Sequence, residues 1–228
     1  MGYFTRLFRI PSENCFALFD EQATLGEFLD LFEDRLPSLV RKGDTVYCYF
    51  AGHGVPDVGD QTSYLLPYDG KPSNPRRTAY SSADLYTSLG RLKAKNVFVF
   101  LDACFSGASG RSKGQKLLFE GARPGVVQIK DQILAQKNLT LFAAAKSNQI
   151  SNAYQEKQHG LFTYFLLKGL GGDSVCNKEG AIRVRDLADY IETNVNTISR
   201  RFGANLAQTP VVKGEQGKED LVIVEKMQ

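Results

Sequence analysis

The chain has 228 residues, enough for one large domain or two small ones. Hydrophobic residues make up 43% and charged residues 23%, the proportions of a globular protein with a full core. The formal charge of +3, without a basic block, gives no indication of a nucleic-acid partner. No apolar run approaches the roughly 18 residues that a membrane span needs, and no secretory signal pattern is visible. We therefore expect neither nucleic acid nor a membrane as a partner.

The four cysteines and two histidines show no close metal-type spacing, so no zinc site is expected. Cys15 and Cys48 lie within apolar runs and are expected in the core, whereas Cys176 lies in a polar loop. This usage indicates reduced thiols in a cytoplasmic protein.

Helical and strand patterns alternate along the first part of the chain. Residues 3–8 resemble the end of a helix, and 15–19 form an apolar run of strand length. An amphipathic helix with a capping box is predicted over 24–40, broken or kinked near its end by Pro37. The near-continuous apolar run at 45–50 is typical of a strand buried on both faces.

The same alternation continues to the C-terminus. The remaining predicted elements are a helix from Ser81 or Ser82 to 92, strands over 96–101, 139–144 and 221–224, and helices over 161–170 and 184–202. Residues 106–115 are rich in Gly and Ser and predict a flexible segment. Strands that alternate with helices predict an α/β fold with a layered, largely parallel sheet.

Two of the predicted strands are followed by reactive residues. AGHG (51–54) follows the strand at 45–50, and DACFSG (102–107) follows the strand at 96–101. Reactive groups collect at the carboxyl ends of strands in open α/β sheets. His53 and Cys104 therefore lie side by side if their strands are neighbours.

A cysteine and a histidine in this arrangement have a defined chemistry. The thiolate is the nucleophile, and a nearby imidazole can accept the thiol proton and later protonate a leaving amine. The amides of Gly54 and Cys104 are candidates for an oxyanion hole. A lone cysteine at a strand end is more often a small buried residue. The occurrence of both residues after matching strands, 51 positions apart, favours catalysis.

Six segments resemble the caspase-like cysteine peptidases (clan CD, family C14), and most closely their metacaspase and bacterial orthocaspase branch. They are YFAGHG, DACFSG, SYLLPYD (63–69), AAAKSNQISNAYQ (143–155), HGLFTYFLLKGL (159–170) and QTPVV (208–212). The resemblance covers nearly the whole chain in the order that the family uses. It implies a caspase-like three-layer α/β sandwich and proteolysis by a His53–Cys104 dyad.

The resemblance also implies a single peptidase domain over 1–228. It has a large-subunit-like part to 105, a linker region at 106–137 and a small-subunit-like part from 138. Family members often cut themselves in this linker, where Arg111, Lys113, Lys116 and Arg123 are the basic candidates. The strand and helix with which family members usually begin are not visible at the N-terminus.

The chain differs from true caspases at a position that determines substrate specificity. True caspases carry Gln two residues before the nucleophile. Asp102 stands there and implies an S1 pocket for arginine or lysine, as in metacaspases. A simple strand-end role for Asp102 is the alternative. Ala51 replaces a serine common in metacaspases and removes a polar contribution to this pocket. Ser147 and Gln149 are carried over as positions that offer a backbone edge to an extended peptide.

No cofactor is expected. Asp57, Asp60 and Asp69 lack the spacing of an EF-hand, so they indicate turns rather than a calcium site, although calcium activates many metacaspases. His159 is expected to cap or pack. The predicted function is a cysteine endopeptidase that cleaves after Arg or Lys. The alternatives are a non-catalytic caspase-like interaction module and another thiol hydrolase built on the same dyad.

Overall fold

The structure is a computed structural model and describes residues 2–57, 62–105, 108–109, 116–117, 133, 135–146, 149–173, 177–178 and 180–225. The helices are α1 (Gly2–Leu7), α2 (Leu25–Leu29), α3 (Leu36–Leu39), α4 (Pro75–Thr78), α5 (Ser82–Gly90), α6 (Leu161–Leu170) and α7 (Val184–Phe202). The strands are β1 (Thr45–Pro56), β2 (Ser63–Leu65), β3 (Tyr80–Ser81), β4 (Asn96–Cys104), β5 (Ala108–Ser109), β6 (Lys116–Leu117), β7 (Leu139–Ala143), β8 (Ala153–Tyr154), β9 (His159–Gly160), β10 (Asn177–Lys178), β11 (Ala181–Arg183), β12 (Val211–Gly214) and β13 (Val222–Glu225). Short 3₁₀ turns lie at Ser12–Asn14, Asp20–Gln22, Gln155–Lys157 and Ala204–Leu206.

A six-stranded sheet in the order β12-β7-β4-β1-β2-β3 forms the centre of the fold. β4 pairs in parallel with both β1 and β7, whereas the outer strands β12, β2 and β3 join antiparallel. The α/β prediction is therefore confirmed, with a mixed sheet that is parallel at its core. β13, the predicted last strand, belongs to a separate sheet with β10 and β11.

β4 shows why the central strands read as continuous apolar runs. Val97, Val99 and Leu101 enter one hydrophobic cluster together with residues of α2 and α5. Phe98 and Phe100 enter a second cluster together with residues of α6 and α7. All five side chains are buried because helices cover both faces of the sheet. The result is a three-layer sandwich.

The predicted helix over 24–40 continues past Pro37 with a change of geometry. Thr24 caps α2 by accepting a hydrogen bond from the N–H of Glu27 at 3.3 Å. A π-helical turn, Asp30–Arg35, then leads into α3, which contains Pro37 near its start. Proline lacks an N–H and its ring crowds the carbonyl of the preceding turn in a regular α-helix. The wider π-helical turn accommodates the ring at that point.

The predicted strand at Cys15–Phe19 was wrong. The backbone is extended at Cys15 and at Phe19, yet residues 15–19 pair with no strand among those that the structure describes. Leu18 instead packs against the first core cluster. An apolar run forms a strand only when a sheet edge offers it hydrogen bonds. Residues 15–19 do not pair with β1 either: over 45–53, β1 pairs with β4 and with no other described strand.

The later helices match the sequence patterns closely. α6 and α7 have the predicted bounds, and Ser81 caps α5 by accepting hydrogen bonds from the N–H groups of Ala83 and Asp84. Across the described ranges, none of the helices is both long enough and apolar enough to cross a lipid bilayer.

Candidate active site

His53 and Cys104 occupy matching positions on neighbouring parallel strands. The register of β1 on β4 pairs Gly52 with Ala103 and His53 with Cys104. Neighbouring strands lie about 4.8 Å apart, and residues paired in register project to the same face. The structure therefore brings the two reactive residues together at the carboxyl edge of the sheet.

The same face carries the candidate specificity residues. Side chains alternate along a strand, so Ala51 shares a face with His53, and its register partner Asp102 shares that face with Cys104. Four residues nearer the strand start, the rings of Tyr47 and Phe98 stack with centroids 5.5 Å apart on this face. The site is thus a continuation of the second core cluster, under α6.

Cys104 is half-buried and touches the loop after β7, whereas His53 is exposed. The Sγ of Cys104 lies 3.7 Å from the carbonyl oxygen of Gln149. The side chain of Gln149 is fastened to Thr209, because its Oε1 accepts from the Thr209 N–H at 2.7 Å and its Nε2 lies 3.3 Å from Thr209 Oγ1. Gln149 therefore faces Cys104 through its backbone. Ser147 lies outside the described residues.

The buried amide of Gln208, to which no sequence pattern assigns a role, holds this loop in place. Gln208 is fully buried. Its Oε1 accepts from the N–H of Asn152 at 2.8 Å, and its Nε2 donates to the carbonyl of Ala144 at 2.8 Å. Its own N–H donates to Ser199 Oγ at 2.9 Å. Gln208 thus links three parts of the structure, which are the end of β7, α7, and the loop that contacts the thiol of Cys104.

Gly54 lies so close to β4 that a larger residue would not fit. A Cβ at this position would overlap the ring of Phe105 and lie 2.8 Å from the carbonyl oxygen of Cys104. The carbonyl of His53 accepts from the N–H of Leu66, on the β2 side. Because a trans peptide places its C=O and N–H on opposite sides, the N–H of Gly54 points toward β4.

The amide of Cys104 points toward the same seam from the other strand. The carbonyl of Leu101 accepts from the N–H of Ala144, on the β7 side of β4. Peptide directions alternate along a strand, so the N–H of Cys104 faces β1. The two amides that the sequence indicated for an oxyanion hole therefore point into the gap between β1 and β4.

Asp102 lies beneath an open cleft, with 0% of its surface exposed. Its Oδ1 accepts from the hydroxyl of Ser151 at 2.6 Å, and its Oδ2 accepts from the hydroxyl of Thr163 at 2.5 Å. Gly160 covers the Oδ2 side, since a Cβ there would overlap Oδ2 and lie 2.9 Å from Cγ. Acceptance at both oxygens suits the carboxylate form, which has only acceptor sites.

The cleft above Asp102 has a volume of about 340 Å³. Tyr49, Ala51 and Thr163 line it, and residues of the β8–β9 hairpin form another wall. The exposed His159 lies in that wall, although a capping or packing role was expected. The cleft is therefore bounded by β1, β4, α6 and the hairpin.

The acidic residues after His53 take part in local contacts. Asp57 pairs with Arg76, and Asp69 Oδ1 accepts from the N–H of Leu25 at 2.9 Å. Asp60 lies outside the described residues. In the described part of the chain, no three His, Cys, Asp or Glu side chains cluster as metal ligands.

The remaining candidate residues are mostly in segments that the structure leaves undescribed. Lys116 begins β6, which pairs antiparallel with β5. Arg111, Lys113, Arg123 and Cys176 lie outside the described residues. Cys15 and Cys48 are free thiols, and burial raises the pKa of Cys48 to about 12.

The parallel core of this sheet thus carries a cysteine and a histidine in register at its carboxyl edge. The profile of the caspase domain, peptidase C14, matches residues 17–221. The chain therefore belongs to the caspase-domain family, which is a family of cysteine peptidases.

Among solved structures, protein GSU0716 from Geobacter sulfurreducens is similar, with a TM-score of 0.56 and 18% sequence identity. The match covers 92% of this chain and 82% of that chain. At this identity the likeness supports the fold alone. No curated protein has a significant match to the sequence.

Proposed function

We propose that the protein is a cysteine endopeptidase in which Cys104 is the nucleophile and His53 transfers the protons. The observation that carries the proposal is the register pairing of His53 with Cys104 at the end of two adjacent parallel strands. Both side chains project to one face, beside a cleft that can receive a substrate side chain. Membership of the caspase-domain family supports the same reaction class.

The reaction has two halves. His53 accepts the thiol proton, and Cys104 Sγ forms a bond to the carbonyl carbon of the scissile peptide. The carbon–nitrogen bond then breaks, and His53 gives its proton to the leaving amine. A water molecule, deprotonated by His53, attacks the resulting thioester. The acid product leaves, and the proton returns to the sulfur of Cys104.

The amides of Gly54 and Cys104 stabilise the oxyanion in this proposal. Both point into the seam between β1 and β4, where the last hydrogen bonds of the ladder also lie. The strand ends must therefore part at this point when a substrate carbonyl enters. Each such donor contributes roughly 3 to 4 kcal/mol to the transition state.

A preference for arginine or lysine before the scissile bond completes the proposal. Asp102, two residues before Cys104, lies beneath the cleft, and its two oxygens accept hydrogen bonds from Ser151 and Thr163. A fixed negative charge at the base of a cleft favours a cationic side chain. The position matches the acidic residue of the metacaspase and orthocaspase branch, to which we assign the chain.

Peptide hydrolysis and active-site labelling test the proposal together. Peptides with Arg, Lys, Asp or norleucine before the scissile bond are incubated with the wild type, Cys104→Ala and Asp102→Asn. An arginyl halomethyl ketone is applied to the same proteins. We expect the wild type to cleave arginyl and lysyl peptides and to be alkylated. Cys104→Ala should do neither, and Asp102→Asn should lose the basic preference while its thiol still reacts.

Cys15→Ala is the matched control, because Cys15 is a half-buried thiol on a different part of the fold. It should behave as the wild type. A wild type that neither cleaves nor reacts would point to an interaction module. Labelling without cleavage of any arginyl or lysyl peptide would point to another thiol hydrolase.

A further inference from the structure

The carboxylate of Asp102, which is proposed to recognise a basic substrate side chain, is itself buried. Asp102 has 0% of its surface exposed, although it lies directly beneath the cleft. Ser151 covers Oδ1, while Thr163 and the backbone of Gly160 cover Oδ2. A substrate cation in the cleft therefore meets other atoms before it meets this carboxylate.

Tyr49 is connected to Asp102 through Thr163 and also reaches solvent. It lines the cleft and is 37% exposed. Its hydroxyl lies 2.8 Å from the hydroxyl of Thr163, which in turn lies 2.5 Å from Oδ2 of Asp102. These three residues form a chain of hydrogen bonds from the buried charge to the open cleft.

The direction of this chain follows from the number of protons. Thr163 has one hydroxyl hydrogen, and it donates that hydrogen to Asp102. The hydroxyl oxygen of Thr163 must then accept in its bond with Tyr49, so Tyr49 donates. The phenol oxygen of Tyr49 can also accept, and its acceptor strength increases when its hydrogen is donated into a chain that ends at a negative charge.

We propose that Tyr49 is a specificity-determining residue, whose phenol oxygen accepts a hydrogen bond from the guanidinium or ammonium group of the substrate residue before the scissile bond. Thr163 is a positioning residue that links Tyr49 to Asp102. The inference rests on the proposed peptidase function. It adds that Asp102 acts on the substrate cation through the hydroxyl groups of Thr163 and Tyr49.

The elements that carry the chain support a fixed geometry. Tyr49 lies on β1, in register with Phe100 of β4 in the middle of the sheet. Thr163 is the third residue of α6 and is buried. Groups held on a strand and on the first turn of a helix keep their positions better than groups on loops. The chain is therefore suited to orient one acceptor into the cleft.

Three variants separate this role from a general structural one. Tyr49→Phe removes the phenol oxygen, Thr163→Val removes the link with nearly the same shape, and Thr163→Ser restores a hydroxyl. KM and kcat are measured for peptides that differ only in arginine or norleucine before the scissile bond. Hydrogen bonds to a charged group make roughly a 10- to 100-fold difference in binding.

We expect Tyr49→Phe and Thr163→Val to raise KM for the arginyl peptide by about 10-fold or more, with kcat changed much less. The norleucyl peptide offers no hydrogen-bond donor to the phenol oxygen, so its KM should rise much less than that of the arginyl peptide, and Thr163→Ser should recover most of the arginine preference. An arginine preference that stays within about 2-fold of the wild type in Tyr49→Phe would overturn the inference. An equal loss for both peptides in kcat would do so as well, because it indicates a structural role.

A binding measurement keeps the inference testable if the wild type hydrolyses nothing. Calorimetric titration of Cys104→Ala with the arginyl and the norleucyl peptide measures the cleft without the reaction. Tighter binding of the arginyl peptide that is lost in Cys104→Ala/Tyr49→Phe supports the inference although the peptidase proposal has failed. Equal binding of the two peptides, or a preference that Tyr49→Phe leaves intact, overturns it.

Discussion

Cys104 and His53 are register partners on adjacent parallel strands, so sheet spacing rather than loop conformation sets the separation of their backbones. That spacing is about 4.8 Å. A nucleophile and a base that stand on strands are held more rigidly than a pair carried by loops. Another neighbour of the thiol, the carbonyl of Gln149, belongs to a loop that Gln208 and Thr209 hold in place.

The three described cysteines should differ strongly in reactivity toward iodoacetamide. Burial raises the pKa of Cys48 to about 12, so at pH 8 only on the order of one molecule in 10⁴ carries its thiolate. Cys104 lies beside His53 at the sheet edge and should be alkylated first. Mass spectrometry of peptides from timed reactions measures the order. His53→Ala should slow the reaction of Cys104 and leave Cys48 unchanged.

The control for this labelling is the chain unfolded in urea, where Cys15, Cys48 and Cys104 should react at similar rates. Alkylation of Cys48 in the folded protein as fast as Cys104 would contradict the assignment of Cys48 to the core.

Replacement of Gly160 by alanine should disturb the site through Asp102. The new Cβ would overlap Oδ2 and lie 2.9 Å from Cγ of Asp102, so the carboxylate must move away from Thr163. We expect a loss of about 1 to 3 kcal/mol in the free energy of unfolding and a higher KM for arginyl peptides. Urea denaturation and steady-state kinetics measure the two effects.

Gly26→Ala is the matched control for Gly160→Ala. Gly26 lies in α2, and its Cβ would have no neighbour nearer than Thr24 Oγ1 at 3.9 Å. Alanine is favoured over glycine in a helix by about 1 kcal/mol, so this variant should be as stable as the wild type or slightly more stable. Equal stability and equal KM in both variants would show that Asp102 tolerates the new methyl group.

Patterns that repeat within one element could be read from the sequence, and contacts between distant residues could not. Helical periodicity gave the bounds of α6 and α7, and a continuous apolar run indicated β4. Strand ends placed His53 beside Cys104 because parallel strands share an edge. Tyr49 and Thr163 are 114 residues apart, so no local pattern links them.

There are physical reasons why some features of the structure could not be predicted from the sequence. β3 and β8 have two residues each, too short for a period of two to be recognised. Gln208 is 64 residues from Ala144, and its burial depends on contacts that form only in the folded chain. Pro37 predicted a break or kink in the helix, whereas the structure has a π-helical turn before it and the helix continues.

Loss of the Gln208 amide should destabilise both the fold and the loop after β7, which contacts Cys104 through Gln149. Gln208→Leu would leave the N–H of Asn152 and the carbonyl of Ala144 without this partner in the interior. Each such buried group costs about 1 to 3 kcal/mol, so we expect a loss of at least about 2 kcal/mol in the free energy of unfolding. Urea denaturation measures it, and hydrolysis of an arginyl peptide reports the effect on kcat.

Gln22→Leu changes the same residue type at an exposed position that does not line the cleft, and it serves as the control. It should stay within about 0.5 kcal/mol of the wild type. A Gln208→Leu protein as stable as this control would show that the amide network does not hold the loop.

Stability should fall at alkaline pH because buried groups keep their protons in the folded state. Burial raises the pKa of Cys48 from 9.0 to about 12 and that of Tyr47 from 10.0 to about 12. Since the unfolded chain releases these protons first, the stabilisation is complete below about pH 9 and is lost as pH rises to about 12. Urea denaturation between pH 8 and 11 measures the slope.

Cys48→Ala should have a shallower alkaline slope than the wild type, by at most about 1.4 kcal/mol per pH unit. Parallel curves for Cys48→Ala and the wild type would show that Cys48 titrates alike in both states.

Self-cleavage in the 106–137 region should depend on both the thiol and the basic residues. We expect the purified wild type to split into two fragments at Arg111, Lys113, Lys116 or Arg123, and Cys104→Ala to remain intact. Replacing these four residues by Gln should prevent the cut if, as proposed, the cleft prefers a cationic side chain. Replacing the exposed Arg91, Lys93 and Lys95 by Gln is the control and should leave it unchanged. Intact-mass measurement locates the junction, and a cut outside 106–137 or in Cys104→Ala would contradict self-processing at the linker.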